Sequence, residues 1–202
     1  MSRDPIRALS QFFGGRVCLD FANTVDWRLS AEPQELIPDY ATLLRWSELR
    51  ATLPAAAIAR LRALSAKEPA HADTALKEAR KLRTEICRAA TSLCAGDAVD
   101  LAPFNRRLVA MPSQPRLLKT DDGHVHDLPG KQLGEPLWPV LWSWAAVLTS
   151  ADARRLGFCQ AKECGWFFVD ESPNHSRAWC SSEVCGNRER ARRAYEKRRS
   201  SS

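Results

Sequence analysis

The sequence predicts an α+β fold class: a largely helical amino-terminal domain with a small antiparallel sheet, residues 1–153, followed by a small cysteine-rich module, residues 154–202. Three observations carry this. Apolar residues recur at three- and four-residue spacing through residues 71–95, short strand-like runs occur at 16–21 and 116–127, and four of the seven cysteines form two close pairs near the carboxyl end.

The elements follow in order. Residues 16–21 (RVCLDF) alternate, with Val17, Leu19 and Phe21 against Arg16, Cys18 and Asp20, which predicts a first strand. Asp39, after Pro38, can cap a helix to about Leu53, and Ile58, Leu61 and Leu64 continue an amphipathic pattern after Pro54. Between 71 and 95, Ala72, Ala75, Leu76, Ala79, Leu82, Ile86, Ala89, Ala90 and Leu93 define one helix face, with Gly96 as the stop. Asp100 can cap a helix carrying Leu101, Phe104 and Leu108, closed by Pro112. Residues 116–127 read as two strands around an Asp122-Gly123 turn. Residues 136–150 (PLWPVLWSWAAVLTS) are apolar nearly all round, as suits a buried helix at the end of the first domain.

No stretch is long enough to span a bilayer, since the longest apolar run covers residues 137–148 and a span needs roughly twenty residues. The amino terminus lacks the apolar core of a secretory signal, so the expected location is the cytoplasm. There seven cysteines are not a disulfide framework. Of 30 Lys and Arg, eleven fall in residues 154–202 against six of the 24 acids, so nearly all of the +6 net charge sits at the carboxyl end.

Cys159 and Cys164 are separated by four residues, as are Cys180 and Cys185, with fifteen between the pairs. Two close pairs around a short insert are the zinc-ribbon or treble-clef pattern. Zinc takes four thiolates in a tetrahedron, and with every position filled by protein sulfur such a site is structural rather than catalytic. The familiar gap within a pair is two residues, and His175 is an alternative to one of the cysteines. Between the pairs Trp166, Phe167, Phe168 and Val169 form a strand-like run, with a turn at residues 171–174. A module of about forty residues buries too little surface to stand alone, so metal would supply most of its folding free energy.

The stretch CQAKECGWFFVDESPNHSRAWCSSEVCGNRERARRAYEKRR resembles the CGNR zinc finger, down to the literal Cys185-Gly186-Asn187-Arg188. Upstream, VCLDFANTVDWR, LLRW at 43–46, LR at 82–83 and Phe104-Asn105 are similar to the ABATE domain that accompanies this finger, a family described as regulators of stress-induced transcription. The resemblance implies a carboxyl-terminal treble-clef zinc finger that binds DNA. Ser176 and Ala178 stand where relatives tend to be basic, thinning the charge beside Arg177.

From Val184 onward no breaker follows Gly186, so a helix should begin at Cys185, with its N–H groups able to face the Cys185 sulfur. On a helix Arg188, Arg192, Tyr195 and Arg199 share one face and Arg190, Arg193 and Lys197 the opposite one, leaving Ala191 and Ala194 to pack inward. The candidate nucleic-acid-binding residues are Arg177, Asn187, Arg188, Arg190, Arg192, Arg193, Lys197 and Arg198. Arginine holds phosphate bidentately and its fork also reads guanine, while Asn187 could read adenine or brace the finger. A solvated, charged terminal helix is the plain alternative.

Asp20, Asn23, Thr24, Asp26 and Arg28 cluster after the first strand, and Asp20, Asn23, Thr24 and Arg28 are candidates for a small-molecule pocket; the structural alternative is hydrogen bonding to loop backbone. Most of the seven tryptophans are expected in the core or at a domain junction. Cys18, Cys87 and Cys94 read as buried thiols, and His124 and His126 as surface residues. No phosphate loop, dinucleotide fingerprint, HExxH or nucleophile elbow occurs, so no enzyme is expected. The sequence therefore points to a DNA-binding transcription regulator with structural Zn2+, an amino-terminal domain that senses a small molecule or dimerises, and no membrane partner. The alternatives are RNA binding and a zinc-dependent protein-interaction module.

Overall fold

The computed structural model describes residues 8–111, 116–120 and 123–200. Where the alternation predicts a first strand, residues Val17–Ala22 form a helix, α1. Cys18, Leu19, Asp20, Phe21 and Ala22 are all buried, so this short helix is enclosed on every side. An element with no solvent face has no burial periodicity to read, and the alternation of Val17, Leu19 and Phe21 was fortuitous. Asp20 tolerates burial because its carboxylate takes the Gly14 N–H at 2.8 Å and Arg50 Nε at 2.8 Å.

Helix α2 (Tyr40–Leu49) starts where expected, with Asp39 Oδ1 accepting the Thr42 N–H at 2.7 Å. It stops short of Leu53. Ala51 adopts φ 52° and the Thr52 N–H returns to the Ser47 carbonyl, ahead of Pro54, which steers its predecessor out of helical conformation. Helix α3 (Ala55–Lys67) buries Ala57, Ile58 and Leu61. Helix α4 (Pro69–Ala95) has proline at its first position, where no N–H is needed, and Gly96 at φ 78° ends it in the left-handed region that glycine enters freely. Its apolar face is the one read from the sequence, from Ala72 through Ala90, with Arg83 the buried exception.

In helix α5 (Ala102–Val109) Asp100 accepts the Ala102 N–H, although Leu101 holds the cap position. Phe104 is buried with its ring 5.7 Å from that of Trp144, and Leu101 is exposed. Pro112 lies outside the described residues. Strands β3 (Leu117–Thr120) and β4 (Gly123–His126) pair antiparallel with Thr120 opposite Gly123. The connection at 121–122, including Asp122, lies outside the described residues.

Helix α6 (Trp138–Thr149) follows a 3-10 turn (Glu135–Leu137) and buries Pro139, Val140, Leu141, Trp144 and Val147. The fully buried Glu135 closes the preceding loop by accepting the N–H groups of Gly130, Lys131 and Gln132. Helices α1, α2, α4 and α6 meet around Phe21, Trp46, Leu82, Ile86 and Trp144. Two further antiparallel pairs complete the sheet content among the described residues. Strands β1 (Val25–Asp26) and β2 (Gln34–Glu35) pair just after α1, and β5 (Leu156–Phe158) pairs with β6 (Phe167–Val169) in the cysteine-rich module. Phe167, Phe168 and Val169 belong to the same continuous apolar core as the helices, with β6 against α1 and β5 against α4.

Candidate metal centre

The β5–β6 hairpin carries the first cysteine pair. The Cys159 N–H donates to the Trp166 carbonyl at 2.7 Å, extending the ladder by one rung, and the loop beyond turns back with Cys164 N–H on the Ala161 carbonyl. Cys180 and Cys185 arrive from the other side. Ser181 caps a π-helical turn (Ser182–Gly186) by accepting the Val184 N–H, and this turn, holding Cys185, runs directly into helix α7 (Asn187–Ser200). Helical structure thus starts before Cys185 rather than at it.

The four sulfurs are buried and lie within 4.8 Å of one another, with Cys164 to Cys180 at 3.7 Å and Cys180 to Cys185 at 3.5 Å. A Zn–S bond of about 2.3 Å in a tetrahedron requires sulfur separations of about 3.8 Å, so the donor set and its size both fit zinc. These spacings are far too long for disulfide bonds, and all four cysteines are free. Crowding disturbs their protonation: hydrogen bonds from Cys164, Cys180 and Cys185 lower the Cys159 pKa, while the bond to Cys159 raises that of Cys164. His175 is exposed, in the turn, and is not a member of the set. The closed four-sulfur shell makes the centre structural.

The polar cluster in and just after α1 holds the metal module. Asn23 pairs with Phe167 in both directions, Nδ2 donating to the carbonyl and Oδ1 accepting the N–H, each at 2.8 Å, so that a side chain replaces a strand on β6. Thr24 Oγ1 donates to the Phe21 carbonyl and accepts from Arg83. Arg28 donates to the Gly165 carbonyl and stacks 4.1 Å above the Phe167 ring. Asp26 accepts the Trp27 N–H. The Leu29 N–H bonds the Glu163 carbonyl, and Trp166 Nε1 bonds that of Val25. At Gly165, φ 66°, a Cβ would lie 2.6 Å from Leu29 Cγ, so only glycine permits this approach. Asp20 faces the same joint from behind: Gly14 gives its N–H to Asp20 and accepts the Val169 N–H. Burial raises the Asp20 pKa above the usual carboxylate value, against the opposing pull of Arg50.

The arginines divide by location. The Arg177 guanidinium reaches the carbonyls of Phe13, Val169, Trp179 and Cys180 and stacks 4.2 Å over Phe168, so it is spent inside the molecule. Arg188 Nη2 donates to Cys185 Sγ at 3.2 Å while its guanidinium lies 4.1 Å over the Trp27 ring. Helix α7 thus reaches the sulfur through a side chain of its first turn. Arg190 bonds Asn187 Oδ1 and the Ser182 carbonyl, and Gly186 leaves room for it and Trp179. Asn187 therefore braces the turn.

Beyond that base α7 leaves the body. Ala191 and Ala194 are exposed, contrary to the inward packing expected of them, and the buried residue is Glu189, which with Glu196 pairs Arg192. Among the described residues nothing covers its alanine stripe, and burial falls instead on Glu189 and partly on Arg188 and Arg192. Arg193, Lys197, Arg198 and Arg199 are exposed, as is Tyr195. Sequence reasoning missed Arg50, Arg83 and Trp27 as partners of these groups, because nothing local marks which distant residue a side chain will meet.

No helix among the described residues is long and apolar enough to cross a membrane. Two family profiles match the chain in the order expected: residues 15–151 match ABATE, described as "Putative stress-induced transcription regulator", and residues 155–198 match the CGNR zinc finger. No curated protein matches the chain.

Proposed function

The chain belongs to the ABATE family, with a CGNR zinc finger at its carboxyl end, and from that premise we propose that it regulates transcription by binding DNA through α7. The observation that carries this reading is the division of the arginines. Arg177 and Arg188 are tied to carbonyls, sulfur and aromatic faces at the base, whereas Arg193 and Arg199 are exposed along the helix beyond it. A basic helix fixed at one end by a metal centre presents its charges to phosphates at little entropic cost. Hairpin, four sulfurs and following helix also support the treble-clef reading. The reducing cytoplasm keeps such thiolates available for metal.

One small finger covers a limited interface, so the reading includes a homodimer that doubles it. The test is fluorescence anisotropy of the zinc-loaded chain with duplex DNA and with structured RNA over a salt series. DNA binding should weaken in Arg193→Ala/Lys197→Ala, and the salt slope should fall by roughly one for each phosphate contact removed. Preference for RNA would reassign the partner, and no binding of either at low salt would favour an acidic protein partner. A monomeric mass with and without DNA would remove the dimer.

A further inference from the structure

A cleft of about 410 Å³ opens between the β3–β4 hairpin, the outer face of α6 and the chain leaving α2. Its lining includes Arg50, Thr52, His124, His126, Trp142 and Ala146. The volume lies within the range typical of small-molecule sites, roughly 300–1,000 Å³. The metal centre and α7 contribute nothing to it.

Three features of the lining define what it would accept. The His126 ring lies 4.2 Å from that of Trp142 at an interplanar angle of 40°, and together they make an aromatic wall suited to a planar ring. His126 Nδ1 is buried without a hydrogen-bond partner among the described residues, a polar atom inside the protein that a ligand could satisfy. Arg50 enters from the left-handed turn at Ala51. Its Nε is held by Asp20 at 2.8 Å, and the two terminal nitrogens belong to a side chain 29% exposed whose guanidinium also lies 5.4 Å from the centre of the Phe12 ring. A guanidinium fixed at Nε presents those nitrogens as a planar fork, the geometry that a carboxylate matches. Val17, Pro139 and Ala146 supply apolar surface around the ring.

We propose that this cleft binds a small aromatic carboxylate, its ring against Trp142 and His126 and its carboxylate on Arg50. The amino-terminal domain then has a ligand site whose arginine is the partner of Asp20. Arg50 links that site to the finger: it bonds Asp20, Asp20 accepts from Gly14, and Gly14 accepts the Val169 N–H of the finger strand. A carboxylate on Arg50 would thus act on the first member of a three-bond path to the finger.

The test uses the zinc-loaded full chain and reads binding directly, so its outcome is independent of whether α7 binds nucleic acid. Benzoate and salicylate are titrated by calorimetry and by thermal unfolding, beside benzamide and acetate. Saturable binding of an aromatic carboxylate between micromolar and millimolar is expected, with benzamide and acetate weaker by about tenfold or more, as loss of a charge-assisted bond or of the ring contact requires. Ala146→Trp, at an exposed position on the lining, should abolish binding while leaving the melting temperature of the ligand-free protein unchanged. Trp142→Leu should weaken it. No saturable binding of either aromatic carboxylate, equal binding of benzamide, or undiminished binding by Ala146→Trp would overturn the proposal.

Discussion

In the helical body Phe21, Trp46, Leu82, Ile86 and Trp144 meet in a core that excludes water, where helices α1, α2, α4 and α6 pack together. Residues 156–186 are arranged differently. Their backbone turns around four sulfurs, and their seat on the body adds to the apolar contact of β6 a set of hydrogen bonds from Asn23, Arg28, Trp166 and Arg177 to main-chain groups. The contrast shows two ways to fix a chain: apolar area, which is non-directional, and polar bonds with metal, which specify an orientation.

Removing the metal should separate the two regions most. Structural zinc contributes on the order of 10 kcal/mol to small fingers, so chelation should remove hydrogen-exchange protection across residues 156–200 while α4 keeps most of its own. Equal loss in α4 would show that the finger and body are one cooperative unit. Next in size, Asn23→Ala leaves the Phe167 N–H and carbonyl without partners in a buried place and should cost about 2–4 kcal/mol in denaturant unfolding. A cost under about 0.5 kcal/mol would mean that the apolar contact of β6 alone seats the finger.

The body has its own polar test. Burial alone would raise the Glu35 pKa, but Arg83 and the Ile37 N–H outweigh it and hold the carboxyl below its ordinary 4.5. Its contribution is therefore complete above that ordinary value and is lost as pH falls through the lower folded-state value. Glu35→Gln should cost about 1–3 kcal/mol near neutrality, with the difference from the parent narrowing below pH 4.5 in acid titrations of stability. A difference independent of pH would remove the ion pair as its cause. The smallest effect belongs to α7, where Arg192→Ala breaks the pairs of a part-exposed guanidinium with the buried Glu189 and the exposed Glu196 and should cost about 1 kcal/mol or less in denaturant unfolding. A larger cost would show that these pairs hold α7 beyond its first turn.

The same contrast explains what could be read early. Helix α4 was legible because its buried face recurs over 27 residues with a glycine stop. Helix α1 was misread because its six residues are enclosed all round. The cysteine pairs were legible as a metal site because two close pairs stand out in the sequence, although their four-residue gaps are unusual and it was the CGNR resemblance that singled out these four. The polar cluster at 20–28 was visible as a cluster, but its work of holding Phe167 and Gly165 was not, since those partners lie about 140 residues away.

By itself the sequence determined the helical class, the four metal ligands and the basic end of the chain, because periodicity, chelate spacing and charge are all expressed within a few consecutive residues. Only the tertiary structure decided that Arg177 and Arg188 face inward while Arg193 and Lys197 face out, that Ala191 and Ala194 stay exposed, and that Arg50, His126 and Trp142 share a cleft. Those outcomes depend on which distant surfaces meet, and a guanidinium follows whichever carbonyls, carboxylates or aromatic faces the fold brings within reach.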